Sequence, residues 1–134
     1  MSANLDDEYI AYLKMIKFER RLKHLSKKLR NKKVVIYGAD KFFQTLVKNY
    51  NLRVLNIVAI SDRTFKNHAP NEKLFDYYKC TLAEISDYNP EYILVGTMNF
   101  INISEDLEEF FKGKIKIRPL IKKPIKELWI ENWN

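Results

Sequence analysis

The sequence predicts an α/β fold. A parallel five-stranded sheet carries helices on both faces, and a further helix extends it at each end. Short runs of β-branched and apolar residues alternate with segments whose apolar side chains recur at helical spacing, the pattern of a sheet wound with crossover helices. The run Val34-Val35-Ile36-Tyr37 stops at Gly38, and an amphipathic segment, residues 42–48, follows at once. A buried parallel strand enters its crossover helix in this way. The 134 residues, 46% apolar and 31% charged, suit one globular domain.

Residues 1–31 read as a basic N-terminal helix and residues 32–134 as the α/β domain with a C-terminal helix. Residues 5–30 contain no Gly or Pro, and Met15, Phe18, Leu22, Leu25 and Leu29 are spaced alternately by 3 and 4. Tyr9, Tyr12 and Ile16 widen the stripe upstream. One long amphipathic helix is expected, with Lys and Arg on its outer face. Its apolar stripe would serve a homodimer or a docked partner protein, unless it folds back on the chain's own sheet or rests on an anionic membrane surface. The domain then runs as a strand over 34–37, a helix over 41–50, a strand over 54–61, a loop over 63–73 and a short strand over 74–80. Thr81-x-x-Glu84 is a capping box that opens a brief helix ending before Asn89-Pro90. A strand over 92–95, a helix over 104–111 closed by Gly113, and an edge strand over 114–120 follow. Ile125, Leu128, Trp129 and Trp133 share one face of a terminal helix. The expected strand order is 3-2-1-4-5.

Composition excludes several classes. No apolar run approaches the roughly 18–20 residues that span a bilayer. The acidic start, Asp6-Asp7-Glu8, is unlike a signal peptide, and the lone Cys80 cannot form an internal disulfide, so a cytoplasmic setting is expected. The net charge of +7 is local: residues 1–33 carry 10 Lys and Arg against 4 Asp and Glu, the remainder 14 against 13. With no aromatic platform interleaved in the basic segment, nucleic-acid binding is disfavoured. His24, His68 and Cys80 lie at unrelated spacings and make no metal site. No acid, base and nucleophile set is visible, so no catalytic residue is assigned.

The candidate site lies where ligands bind in such sheets, at the carboxyl ends of the strands where the winding reverses. Gly38, Ala39, Asp40 and Lys41 after the first strand, Asp62 after the second, and Gly96 and Thr97 after the fourth converge there. A dinucleotide fingerprint reads G-x-G-x-x-G, whereas this loop has Asp40 and Phe43 at its second and third glycine positions. A carboxylate at the second position repels a diphosphate, so NAD in its standard pose is disfavoured. Gly38 either serves the turn alone or serves the turn and a ligand. Asp62 stands 24 residues after Gly38, near the place of a ribose-binding acid, or is an ordinary turn aspartate.

Four segments, Lys33-Val-Val-Ile-Tyr-Gly-Ala-Asp40, Ile57-Val-Ala-Ile-Ser-Asp62, Thr81-Leu-Ala-Glu-Ile85 and Tyr92-Ile-Leu-Val-Gly96, share one rhythm. It resembles the small three-layer Rossmann-like domain of bacterial glycan-biosynthesis proteins. It is similar to the N-terminal domain of UDP-amino-sugar acetyltransferases and to accessory domains of sugar methyltransferases and glycosyltransferases. The resemblance covers about residues 32–121. It implies a nucleotide or nucleotide sugar held by residues 38–41 and by Asp62, in a chain that lacks that family's catalytic β-helix. A protein-interaction module that binds no ligand is the alternative.

Overall fold

The computed structural model describes residues 5–122. In chain order its elements are α1 (Leu5–Met15), α2 (Phe18–Lys28), β1 (Val34–Tyr37), α3 (Lys41–Asn49), β2 (Ile57–Ser61), β3 (Lys73–Leu74), β4 (Tyr77–Cys80), β5 (Tyr92–Val95), α4 (Phe100–Phe111) and β6 (Lys116–Pro119). Short 3₁₀ helices cover Leu52–Val54, Arg63–Phe65 and Leu82–Tyr88. Among the described residues no helix is long and apolar enough to cross a membrane.

Val34, Val35 and Ile36 are buried, and successive side chains feed different apolar clusters. Val34 and Ile36 join α1, α2 and α3 in one cluster; Val35 joins Leu107 and Phe111 of α4, with Ile85, in the other. A strand buried on both faces reads as a continuous apolar run, which is why this segment was legible in the sequence. β1 pairs in parallel with β2 on one side and with β5 on the other. β4 extends the sheet beyond β2, and β6 extends it beyond β5, also in parallel.

Among the described residues the sheet has six strands, in the order β3-β4-β2-β1-β5-β6, rather than five. The five expected strands keep their expected order. The sixth arises because the expected strand over 74–80 is part of a hairpin over 73–80, with Lys73 opposite Tyr78 and Leu74 opposite Tyr77 in antiparallel pairing. Its two turn residues, Phe75 and Asp76, take positive φ values of 54° and 69°. Tight hairpins require such angles, but the usual Asn-Gly signal is missing here. Two boundaries also move. The second strand starts at Ile57, because Asn51 caps a 3₁₀ turn over Leu52–Val54, and α4 starts at Phe100 rather than 104. The capping box forms as expected, with Thr81 Oγ accepting from the Glu84 amide and the Glu84 carboxylate accepting from the Thr81 amide. The predicted terminal helix over 125–133 lies outside the described residues.

The single long N-terminal helix is two helices. Lys17 sits in the left-handed region at φ 56° and ψ 52°, which breaks the hydrogen-bond ladder between α1 and α2. The break resets the helical phase. Leu13 and Ile16 turn inward with Phe18, Leu22, Leu25 and Leu29, while Met15, expected in the stripe, is 59% exposed. This stripe is covered by the chain itself: it lies in the same cluster as Phe42, Phe43 and Leu46 of α3 and the β1 side chains. Burial of each large side chain contributes about 1.5–3 kcal/mol. Polar contacts fix the docking. Thr45 Oγ donates to the Asp6 carboxylate at 2.8 Å, and the Arg21 guanidinium donates to the Pro119 carbonyl at 2.6 Å. Burial lowers the pKa of Arg21.

Candidate functional site

The carboxyl ends of β1, β2 and β5 open into one cleft of about 680 Å³. That volume lies within the range of small-molecule sites, roughly 300–1,000 Å³. Its floor is the turn between β1 and α3. Gly38 takes φ +104°, and a Cβ there would stand 2.3 Å from Thr97 Cγ. Only glycine satisfies both the angle and the approach. Gly96 permits a second close pass, since its Cβ would lie 3.0 Å from Ile36 and Phe43 side-chain atoms and 3.2 Å from the Gly38 carbonyl. The Gly38 amide donates to Ser61, and the Gly96 amide to Tyr37, so the three strand ends are tied at this level.

Two carboxylates then close onto the turn. Asp40 is the N-cap of α3 and accepts from the Phe43 amide at 3.1 Å. Asp62 reaches across from β2 and accepts from the Ala39 amide at 2.7 Å with one oxygen. Its other oxygen accepts from the amide and hydroxyl of Thr64 at 3.0 and 2.8 Å. These amides are the groups that a helix N-terminus offers to phosphate. A diphosphate on this turn, which the resemblance implies, therefore does not fit: its hydrogen-bond donors at Ala39 and Phe43 already serve carboxylates, and it would have to approach two negative charges.

Of the sequence-predicted site residues, Gly38, Ala39, Asp40, Asp62 and Thr97 line the cleft together. Lys41 opens α3 on the exposed surface, and Gly96 lies buried behind the turn; neither is among the lining residues. The remaining walls are new. Tyr9 of α1 stands edge-on to Phe42 at 4.8 Å, which brings the N-terminal unit into the site. Arg63 and Thr64 follow β2, and Asn102 and Asp106 come from α4. Tyr37 faces the same space, and its phenol is raised above its usual pKa by burial first, then by Asp62 and Asp106, with Arg63 opposing. No sequence signal marks Tyr9 or Asp106 as site residues; the topology alone brings them here. The Thr97 hydroxyl is buried without a hydrogen-bond partner.

Among the described residues, Cys80, His68 and His24 lie away from the cleft lining. Cys80 is buried, and burial pushes its thiol up to about 11, far from a reactive thiolate. His68 does not orient it. The two ring nitrogens of His68 face acceptors, the Glu84 carboxylate at 2.7 Å and the Ala69 carbonyl at 2.9 Å. His24 is exposed on α2. Among the described residues no group of three or more His, Cys, Asp or Glu is placed to hold a metal ion. Comparison with family models, with curated proteins and with solved structures gives no match.

Proposed function

We propose that this chain is an accessory Rossmann-like domain of three-layer α/β/α type that binds a nucleotide or nucleotide sugar, in bacterial surface-glycan biosynthesis, with no catalytic machinery of its own. The cleft at the strand ends is the observation that carries the proposal. It combines a ligand-sized volume, an apolar wall of Tyr9, Phe42 and Leu107, and convergent polar groups from Asp62, Thr97, Asn102 and Asp106. Base or sugar rings suit the apolar wall, and ribose or sugar hydroxyls suit the carboxylates and the Asn102 amide. The phosphates of such a ligand would point to the open mouth rather than onto the turn.

A thermal-shift screen at millimolar concentrations tests the proposal, using NAD, NADP, coenzyme A, UDP, UDP-sugars and the nucleosides uridine and adenosine. A ligand at 100 times its dissociation constant adds about 2.7 kcal/mol of stability. Stabilisation by none of them favours the second reading, an interaction module that binds no ligand. One observation supports that reading: two amides of the turn are already satisfied internally. A homodimer through α1 and α2 would draw on what those helices leave exposed, notably Leu5 and Met15. Light scattering of the full chain is the check on that point.

A further inference from the structure

We infer that Asp40 and Asp62 are built-in anions that set the ligand class of the cleft: hydroxyl-bearing compounds gain nothing from a phosphate, and a diphosphate is excluded from the turn. The inference deepens the proposed function and rests on the same cleft.

The usual logic of a strand-to-helix turn is that backbone amides and the helix dipole attract an anion from solution. Here the anions belong to the chain. Asp40 serves the helix itself, as a cap on Phe43. Asp62 serves the loop ahead of it, and the same carboxylate also holds Thr64, so it is gripped from both sides of the cleft floor. The turn that carries both contacts admits only glycine at its first position, since Gly38 takes φ +104° and a Cβ there would stand 2.3 Å from Thr97 Cγ. Asp106 adds a third carboxylate to the lining, against one cation among the described residues, Arg63. Three carboxylates against one guanidinium leave the lining net negative, which opposes the approach of a phosphate. Tyr37 lies in the same field: burial chiefly raises its pKa, Asp62 and Asp106 add to the rise, and Arg63 opposes it. The departure of Asp40 and Phe43 from the glycine fingerprint is thus a change of specificity.

The experiment is a set of matched titrations on the full chain, uridine against UMP and UDP and adenosine against AMP and ADP, by calorimetry, with inorganic pyrophosphate added to the panel. The same titrations are run on Asp62→Asn and on Asp40→Ser; serine retains a helix cap without the charge. In the unmodified chain each added phosphate is expected to leave affinity unchanged or weaken it, and pyrophosphate is expected not to bind. In each folded variant the ratio of diphosphate to nucleoside affinity should rise by about tenfold or more. Tighter binding of UDP than uridine by the unmodified chain overturns the inference, as does binding of pyrophosphate. If the unmodified chain takes neither nucleosides nor nucleotides, the proposed function fails. The inference is then decided by pyrophosphate alone: binding gained by a folded variant supports it, and no gain overturns it. Should Asp62→Asn fail to fold, Asp40→Ser decides, since Asp40 is exposed and its loss leaves the Asp62 contacts in place.

Discussion

Of the turns that place a residue at positive φ between regular elements, two are built in contrasting ways. Gly38, between β1 and α3, has φ +104°, and Lys17, between α1 and α2, has φ 56°. Gly38 is buried, backed by Thr97, and its neighbour Ala39 donates to the Asp62 carboxylate. Lys17 is exposed and receives no side-chain cap. The first turn is held from outside by tertiary contacts, with a residue suited to its angle. The second is held only because the helices on either side are each docked on the sheet, and a lysine tolerates the strain. Where many contacts converge, the residue type is constrained and readable. Where the constraint comes from docked neighbours, it is not.

Replacing Gly38 by alanine should give the largest effect, because it adds both an unfavourable angle and an overlap with Thr97. A loss of about 2–4 kcal/mol is expected in chemical denaturation. A loss below 1 kcal/mol, to order of magnitude, would mean that the turn relaxes freely and that the contrast with Lys17 is unfounded.

Asp62→Ala should follow, costing about 1–2 kcal/mol, since the Ala39 amide and the Thr64 amide lose their acceptor together. Amide hydrogen exchange at Ala39 is expected to accelerate in this variant while exchange in β5 stays slow. Uniform acceleration would argue that the carboxylate supports the whole sheet rather than the turn.

At the other turn the sign reverses. Lys17→Gly should stabilise the chain by about 0.5–1 kcal/mol by relieving the left-handed strain, with part of the gain lost to the added freedom of glycine in the unfolded chain. Destabilisation would show that the lysine stem is needed for packing and would bring the two turns closer in kind.

The smallest effect is expected from the pair His68 and Glu84, which extends the comparison to a carboxylate that does have a cation beside it. Both nitrogens of His68 face acceptors, so the charged ring is favoured and its pKa is raised, chiefly by the hydrogen bond to Glu84. The same bond holds Glu84 down to about 2. The histidine contribution is fully present below its unfolded pKa of about 6.5 and fades as pH rises through the raised folded value. The glutamate contribution is present above its unfolded value of about 4.3 and fades as pH falls towards the folded one. Stability from the pair therefore peaks between these limits, and Glu84→Gln should flatten the melting temperature profile there. An unchanged profile would mean that solvent screening cancels the pair, for Glu84 is 44% exposed.

What the sequence determined is the set of features fixed by neighbours in the chain. Val34, Val35 and Ile36 declare a strand buried on both faces, Gly38 declares the turn, and Thr81 with Glu84 declares a cap; each is written in a few adjacent residues, even where, as at Gly38, tertiary contacts then hold it. The order of the five expected strands was legible for the same reason, as alternating strands and helices leave few ways to wind a parallel sheet. The tertiary structure decided the rest. It broke the N-terminal helix at Lys17, a residue with no turn signature, because two shorter helices cover the sheet where Leu13, Ile16 and Phe18 can all turn inward. It bent residues 73–80 into a hairpin through Phe75 and Asp76. It also turned Asp62 onto Ala39, 23 residues away, and set Tyr9 and Asp106 around the same cleft. Those contacts join segments distant along the chain, and their energies depend on where the sheet carries each side chain rather than on the residues beside it.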